Sequence, residues 1–139
     1  MSTAEFSIHN DLEELDTLAE KVLEFCEQNH LSDEFSYDIR LALEEAISNT
    51  IKYGYRDQEV HVISVKTALQ NNRLLIEIED DAAEFNPLQT PLTDVSLPIE
   101  QKNPGGLGIY LLRSIMNELE YERQGSKNIF RMTKLNGSN

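Results

Sequence analysis

Glu45 and Asn49 stand four residues apart in Leu41-Ala42-Leu43-Glu44-Glu45-Ala46-Ile47-Ser48-Asn49, so a helix over this segment puts both on one side. Ile39, Leu43 and Ile47 form an apolar stripe on a different side. A carboxylate and an amide oxygen one turn apart suit a shared Mg2+ site, because Mg2+ prefers oxygen ligands and keeps several waters. The carboxylate is equally able to polarise a hydroxyl or a water. By itself such a pair is more often a solvated helix face. A second feature lies in Ile78-Glu79-Asp80-Asp81-Ala82. Leu74, Ile76 and Ile78 alternate on one side of a strand, and Asp80 falls in phase with them. A carboxylate on the apolar side needs donors, and the amino group on a purine edge is a suitable one. The plainer use of Asp80 is to cap the turn through Asp81 and Ala82.

The third feature is Pro104-Gly105-Gly106-Leu107-Gly108. Glycines let a backbone approach an anion closely, and the helix start that follows presents free N–H groups. No Gly-Lys-Ser/Thr follows, so this is not a P-loop. Leu111 stands where a dinucleotide fingerprint has its third glycine, and the segment follows a proline-rich loop instead of a strand. Alone, the glycines read equally well as a loop hinge.

These residues need elements to hold them. Ala4 to Ile8 reads as a strand, and Asn10 or Asp11 caps a helix running to about His30 with Leu12, Leu15, Leu18, Ala19, Val22, Leu23 and Cys26 as its apolar positions. A second helix starts after Ser32 or Asp33 and runs to about Tyr53, with Gly54 ending it. Val60 to Leu69 and Arg73 to Asp80 read as strands around a Gln70-Asn71-Asn72 turn. Residues 86–104 hold all four prolines, which argues against regular structure and for a functional lid ahead of the glycines. Ile109 to Met116 reads as a helix, and Leu119 to Arg123 and Asn128 to Leu135 as a closing hairpin, with a frayed tail over Asn136 to Asn139. Three helices over a mixed, mostly antiparallel sheet give an α+β sandwich of two layers.

The 139 residues fit one domain, 1–139. Apolar residues make up 40% and charged residues 27%, an ordinary globular mix, and no stretch has the length of a membrane span. No signal peptide is visible, and the single cysteine, Cys26, suits a reducing compartment; the expectation is a cytoplasmic protein. A net charge of −13 argues against direct nucleic-acid binding and repels a free nucleotide at long range. Any nucleotide must be held by local devices.

Taken in order, Glu45 and Asn49 on a helix, Asp80 at a strand end, a lid, and Gly-Gly-Leu-Gly opening a helix resemble the N, G1 and G2 boxes of GHKL (Bergerat-fold) ATPases. From about Phe6 to Leu135 the chain follows that pattern. Leu-Glu-Glu-Ala-Ile-Ser-Asn and Gly-Gly-Leu-Gly-Ile-Tyr-Leu-Leu-Arg look most like the anti-sigma-factor serine/threonine kinases of the RsbW and SpoIIAB type. The resemblance implies ATP and Mg2+ as cofactors, with Asn49 on the metal and Glu45 as general base. It implies that Asp80 accepts from the adenine amino group, with Ala82 and Phe85 beside it. Gly105, Gly106, Leu107 and Gly108 would close on the phosphates. It further implies a STAS-type anti-anti-sigma substrate, a sigma factor held by binding, and a homodimer.

Two positions depart from the pattern. Ala82 stands where the G1 box usually has glycine, and Tyr53 where a histidine is frequent. A methyl at position 82 either crowds the adenine or is accommodated by an ordinary backbone angle. Lys102 and Arg113 lie near the glycines as candidate phosphate partners. A non-catalytic nucleotide-binding module is the alternative to a kinase. A histidine kinase needs a phosphoacceptor histidine on a separate helical hairpin, and none of His9, His30 and His61 lies on one.

Overall fold

Period-two alternation builds the sheet. In the computed structural model, which describes residues 1–89 and 106–136, five strands and three helices are described. They follow the order β1 (Ser2–His9), α1 (Leu12–Gln28), α2 (Asp33–Asn49), β2 (Val62–Gln70), β3 (Arg73–Asp80), α3 (Gly106–Ile115), β4 (Glu118–Gln124) and β5 (Lys127–Leu135). The strands lie in the order β1-β2-β3-β5-β4, and every described pairing is antiparallel. The register puts Ile8 opposite Ile63, Val65 opposite Ile78, Ile76 opposite Met132 and Tyr121 opposite Phe130, so one face is apolar across all five strands. That face meets the buried stripe of α1 (Leu15, Leu18, Ala19, Val22, Phe25, Cys26) and of α2 (Phe35, Ile39, Leu43, Ile47) in one core. The opposite face is polar, with Arg131 set among Glu77, Glu120 and Glu122.

Local signals set the ends of the elements. Asp11 caps α1 by accepting from the Glu13 N–H, and Ser32 caps α2 by accepting from the Phe35 N–H. His30 turns to a φ of 60°, which stops α1 at Gln28. Asn71 and Asn72, at φ of 53° and 61°, make the two-residue β2–β3 turn. Lys134 binds Asp38 at 3.3 Å and the Ile115 carbonyl at 2.7 Å, tying β5 to α2 and to the end of α3.

Some boundaries differ from the sequence expectation. The second helix is α-helical only to Asn49, and Thr50–Gly54 continues it as a single π turn. This wider turn brings the Gly54 carbonyl to the Ala83 N–H at 3.1 Å, a bond that ties the helix end to the loop after β3. The second strand begins at Val62, because the chain over Tyr55–His61 is a looped connection. Asn136 is held instead of frayed, its N–H donating to the Asn72 carbonyl at 2.7 Å. Of the expected lid, Asn86 accepts from the Leu88 N–H and Pro87–Gln89 is a 3-10 turn, while 90–104, Lys102 among them, and Gly105 lie outside the described residues. No helix among the described residues is long and apolar enough to cross a membrane.

Candidate functional site

Where β3 ends and β5 begins beside the π turn, the core opens into a cleft of about 220 Å³. Ile78, Ala82, Ile109, Leu112 and Phe130 give it apolar walls, and Asn49, Asp80, Asn128, Tyr53 and Arg56 give it polar ones. The expected residues Asn49, Asp80, Ala82 and Phe85 all line it. Phe85 stands at its exposed rim.

Asp80 takes its place from the strand register. It is only 6% exposed, on the apolar face of β3, opposite Asn128 of β5. Its Oδ1 accepts from the Ala82 N–H at 3.0 Å and from Asn128 Nδ2 at 2.9 Å. Asp80 therefore does cap its own turn, but with one oxygen. Oδ2 has no hydrogen-bond partner among the described residues, and Asp80 lines the cleft. Burial pushes the Asp80 carboxyl above its ordinary range, and the Asp81 charge adds to this; Asn128, the Ala82 N–H and Arg123 pull it down. A donor aimed at Oδ2 would favour the charged form further.

Asn128 was not legible as a site residue, yet it organises this corner. Its Nδ2 also reaches the Ala83 carbonyl at 3.0 Å, and its Oδ1 accepts from the Tyr121 hydroxyl and from Arg123 Nη1. Arg123 Nη1 in turn donates to the Ala82 carbonyl at 3.0 Å. The loop after Asp80 is thus pinned by side chains of the closing hairpin. One signal did exist. Asn128 is in phase with buried Phe130 and Met132, the same break in alternation that marked Asp80.

Ala82 is almost fully buried, and its φ is not in the left-handed region, so the position does not demand glycine. Its methyl packs against Gly54: a Cβ added at Gly54 would lie 2.9 Å from the Ala82 Cβ. The methyl missing at position 54 makes room for the one present at position 82.

Gly108 joins the glycine segment to the Glu45–Asn49 pair. A Cβ added there would collide with Glu45 Oε1 and come within 3.0 Å of Asn49 Nδ2. The glycine segment therefore starts α3 directly against Glu45 and Asn49. Gly106 and Leu107 form the first turn of that helix. Asn49 lines the cleft, but Glu45 does not; it sits beside Asn49 at the edge nearest α3. Neither side chain has a hydrogen bond among the described residues. Arg113 is not on the cleft, and its Nη2 donates to the Leu88 carbonyl at 3.3 Å.

Residues 8–134 match the family described as the histidine kinase-like ATPase domain. The chain is 28% identical over 102 residues to an anti-sigma F factor of Thermoanaerobacter sp. (strain X514), covering 73% of this chain and 71% of that one. It is 28% identical over 104 residues to the serine-protein kinase RsbW of Bacillus velezensis, covering 72% of this chain and 65% of the relative. Among solved structures, the RsbU and RsbW domains of a Mycobacterium tuberculosis protein share the fold with a TM-score of 0.69 at 12% identity. That alignment covers 98% of this chain but spans only 33% of the longer protein. The Acinetobacter baumannii histidine kinase AdeS matches with a TM-score of 0.53 at 17% identity, over 99% of this chain and 69% of that chain. The match over nearly the whole length, on the same open sheet and three helices, makes the chain a member of the histidine kinase-like ATPase domain family.

Proposed function

We propose that the chain binds ATP with Mg2+ in this cleft and phosphorylates a serine or threonine of a STAS-type anti-anti-sigma protein, while holding a sigma factor inactive by binding. The observation that carries the reading is Asp80: a buried carboxylate lining a mostly apolar slot, with one oxygen satisfied internally and the other without a partner among the described residues. Such a group fits an aromatic amine held between Ile78, Ala82, Ile109 and Phe130. At the other end, Asn49 offers an oxygen suited to Mg2+, and the first turn of α3 offers backbone N–H groups to phosphate. ATP with Mg2+ supplies the transferable phosphoryl group and neutralises its charge. Glu45, next to Asn49, takes the proton from the substrate hydroxyl. The relatives named anti-sigma F factor and serine-protein kinase RsbW support the choice of substrate and partner. The reading also makes the protein a cytoplasmic homodimer.

One observation favours a second reading, a nucleotide-binding module without transfer: Glu45 stands against Gly108 and off the cleft wall. Calorimetry and a transfer assay separate the two. Mg2+-dependent ATP binding is expected. Asp80→Asn should weaken it about tenfold or more, since a hydrogen bond to a charged group contributes about 1.5–3 kcal/mol. Glu45→Ala should keep binding and lose transfer of phosphate to the serine substrate. Transfer that survives in Glu45→Ala rejects its role as base. A wild-type protein that binds no ATP overturns both readings.

A further inference from the structure

Two loops contribute to one wall of the cleft, the connection ahead of β2 through Gly54 and Arg56 and the segment behind β3 through Ala82 to Phe85, while Tyr55, Asp57, His61 and Asp81 do not line it. Besides the single backbone bond from Ala83 to Gly54, the side chain of His61 joins them. Its backbone is fixed from below, where the His61 N–H donates to Asn10 Oδ1 at 2.8 Å and its carbonyl accepts from the Asn10 N–H at 3.0 Å. Its ring stacks on Tyr55 with centroids 4.3 Å apart and planes 21° from parallel. The side chain is only 16% exposed. Nε2 lies 2.8 Å from Asp57 Oδ1, and Nδ1 lies 3.0 and 3.1 Å from the two oxygens of Asp81.

A neutral imidazole has one N–H and one lone pair, whereas the imidazolium donates from both nitrogens. With a carboxylate on each nitrogen, a neutral ring would turn its lone pair onto an anionic oxygen. The arrangement is satisfied only by the charged ring. The ionisable groups facing it are Asp57 in its own loop, Asp81 after β3, and Tyr55 beneath it. Burial, helped by Asp80, Asp81 and Asp57, pushes the Tyr55 phenol up, so Tyr55 stays neutral and leaves the balance to the two carboxylates. Asp81 is the residue directly after Asp80.

We propose that His61, as an imidazolium, is a positioning residue of the nucleotide site: it clamps Asp57 to Asp81, fixing the turn that aims Asp80 and seats Ala82, and its deprotonation loosens that wall and lowers nucleotide affinity. The inference rests on the nucleotide-binding reading above. The Asp57 hydrogen bond, and after it that of Asp81, pushes the ring above its ordinary value, against a smaller opposing effect of burial. The clamp is therefore complete below the ordinary histidine value of about 6.5 and is lost as pH rises through the raised one. By the same linkage, nucleotide must raise the His61 pKa when it binds.

The probe is ADP with Mg2+, titrated by calorimetry between about pH 6.5 and 8.5 against the full chain and His61→Gln, whose side chain does not ionise. The histidine resonances are followed by NMR with and without ADP, with His9 and His30 as internal references. Wild-type affinity should fall about three- to tenfold over that range, the equivalent of about half to one pKa unit of coupling. His61→Gln should bind more weakly with that component of the profile absent, which removes titration of the ADP phosphate from the comparison. The NMR readout needs no variant. A His61 pKa unmoved by ADP, or wild-type and His61→Gln profiles that run parallel, overturns the inference with nucleotide binding intact. Absence of ADP binding at every pH, wild type included, overturns the nucleotide reading and the inference with it.

Discussion

Gly108 marks the point where the start of α3 meets α2, since a side chain there strikes the Glu45 carboxylate. Gly108→Ala should lower stability by about 1–3 kcal/mol, in the lower part of that range because the atom it strikes ends a flexible side chain. The denaturation midpoint reads this cost. Phosphate transfer should suffer more than ATP affinity, because the group displaced is the proposed base, and a kinetic comparison checks that split. Asp80 was legible in the sequence because it broke an alternating run that was otherwise apolar. Asn128 carries the same mark less visibly, because it stands at the start of its strand and interrupts no run of apolar residues before it. Only the strand register sets it opposite Asp80. His61 was hidden for a different reason: Asp57 lies 4 residues away in a loop, where that spacing sets no shared face, and Asp81 lies 20 residues away on another loop.

At the scale of elements, the π turn is what converts α2 from a core helix into a wall of the site. It carries Gly54 to the loop after β3, where Gly54 and Ala82 share space that holds one methyl. Gly54→Ala should cost about 1–3 kcal/mol, and adding Ala82→Gly should recover much of it, an interaction energy of about 0.5–3 kcal/mol. Thermal or denaturant unfolding of the four proteins in the cycle measures it, and simple additivity would show that the two methyls do not compete. Strands and helices were readable because their periods are regular. Asp11, Ser32 and the Asn71-Asn72 pair also act as their residue types suggest. The π turn was not readable, since Thr50 to Tyr53 continues a helical pattern and only the tertiary bond from Ala83 to Gly54 shows why it widens.

At the scale of the whole molecule, a net charge of −13 surrounds a cleft whose lining includes a single cation, Arg56, among its described residues. Raising ionic strength from about 0.01 to 0.15 M shortens the Debye length from about 30 to 8 Å and should therefore tighten ADP binding, the reverse of what a basic site would show. Calorimetry at the two salt concentrations decides the sign. The strand order has a consequence for synthesis. β5 comes last among the described strands, yet it lies inside the sheet between β3 and β4 and carries Asn128 and Phe130 into the cleft. A growing chain that has released β3 must wait on the order of several seconds, at ~5–20 residues per second, before β5 can join it. Until then the inner edge of β3 is unpaired and Asp80 lacks Asn128, so this corner of the cleft is complete only once the last described strand has joined the sheet.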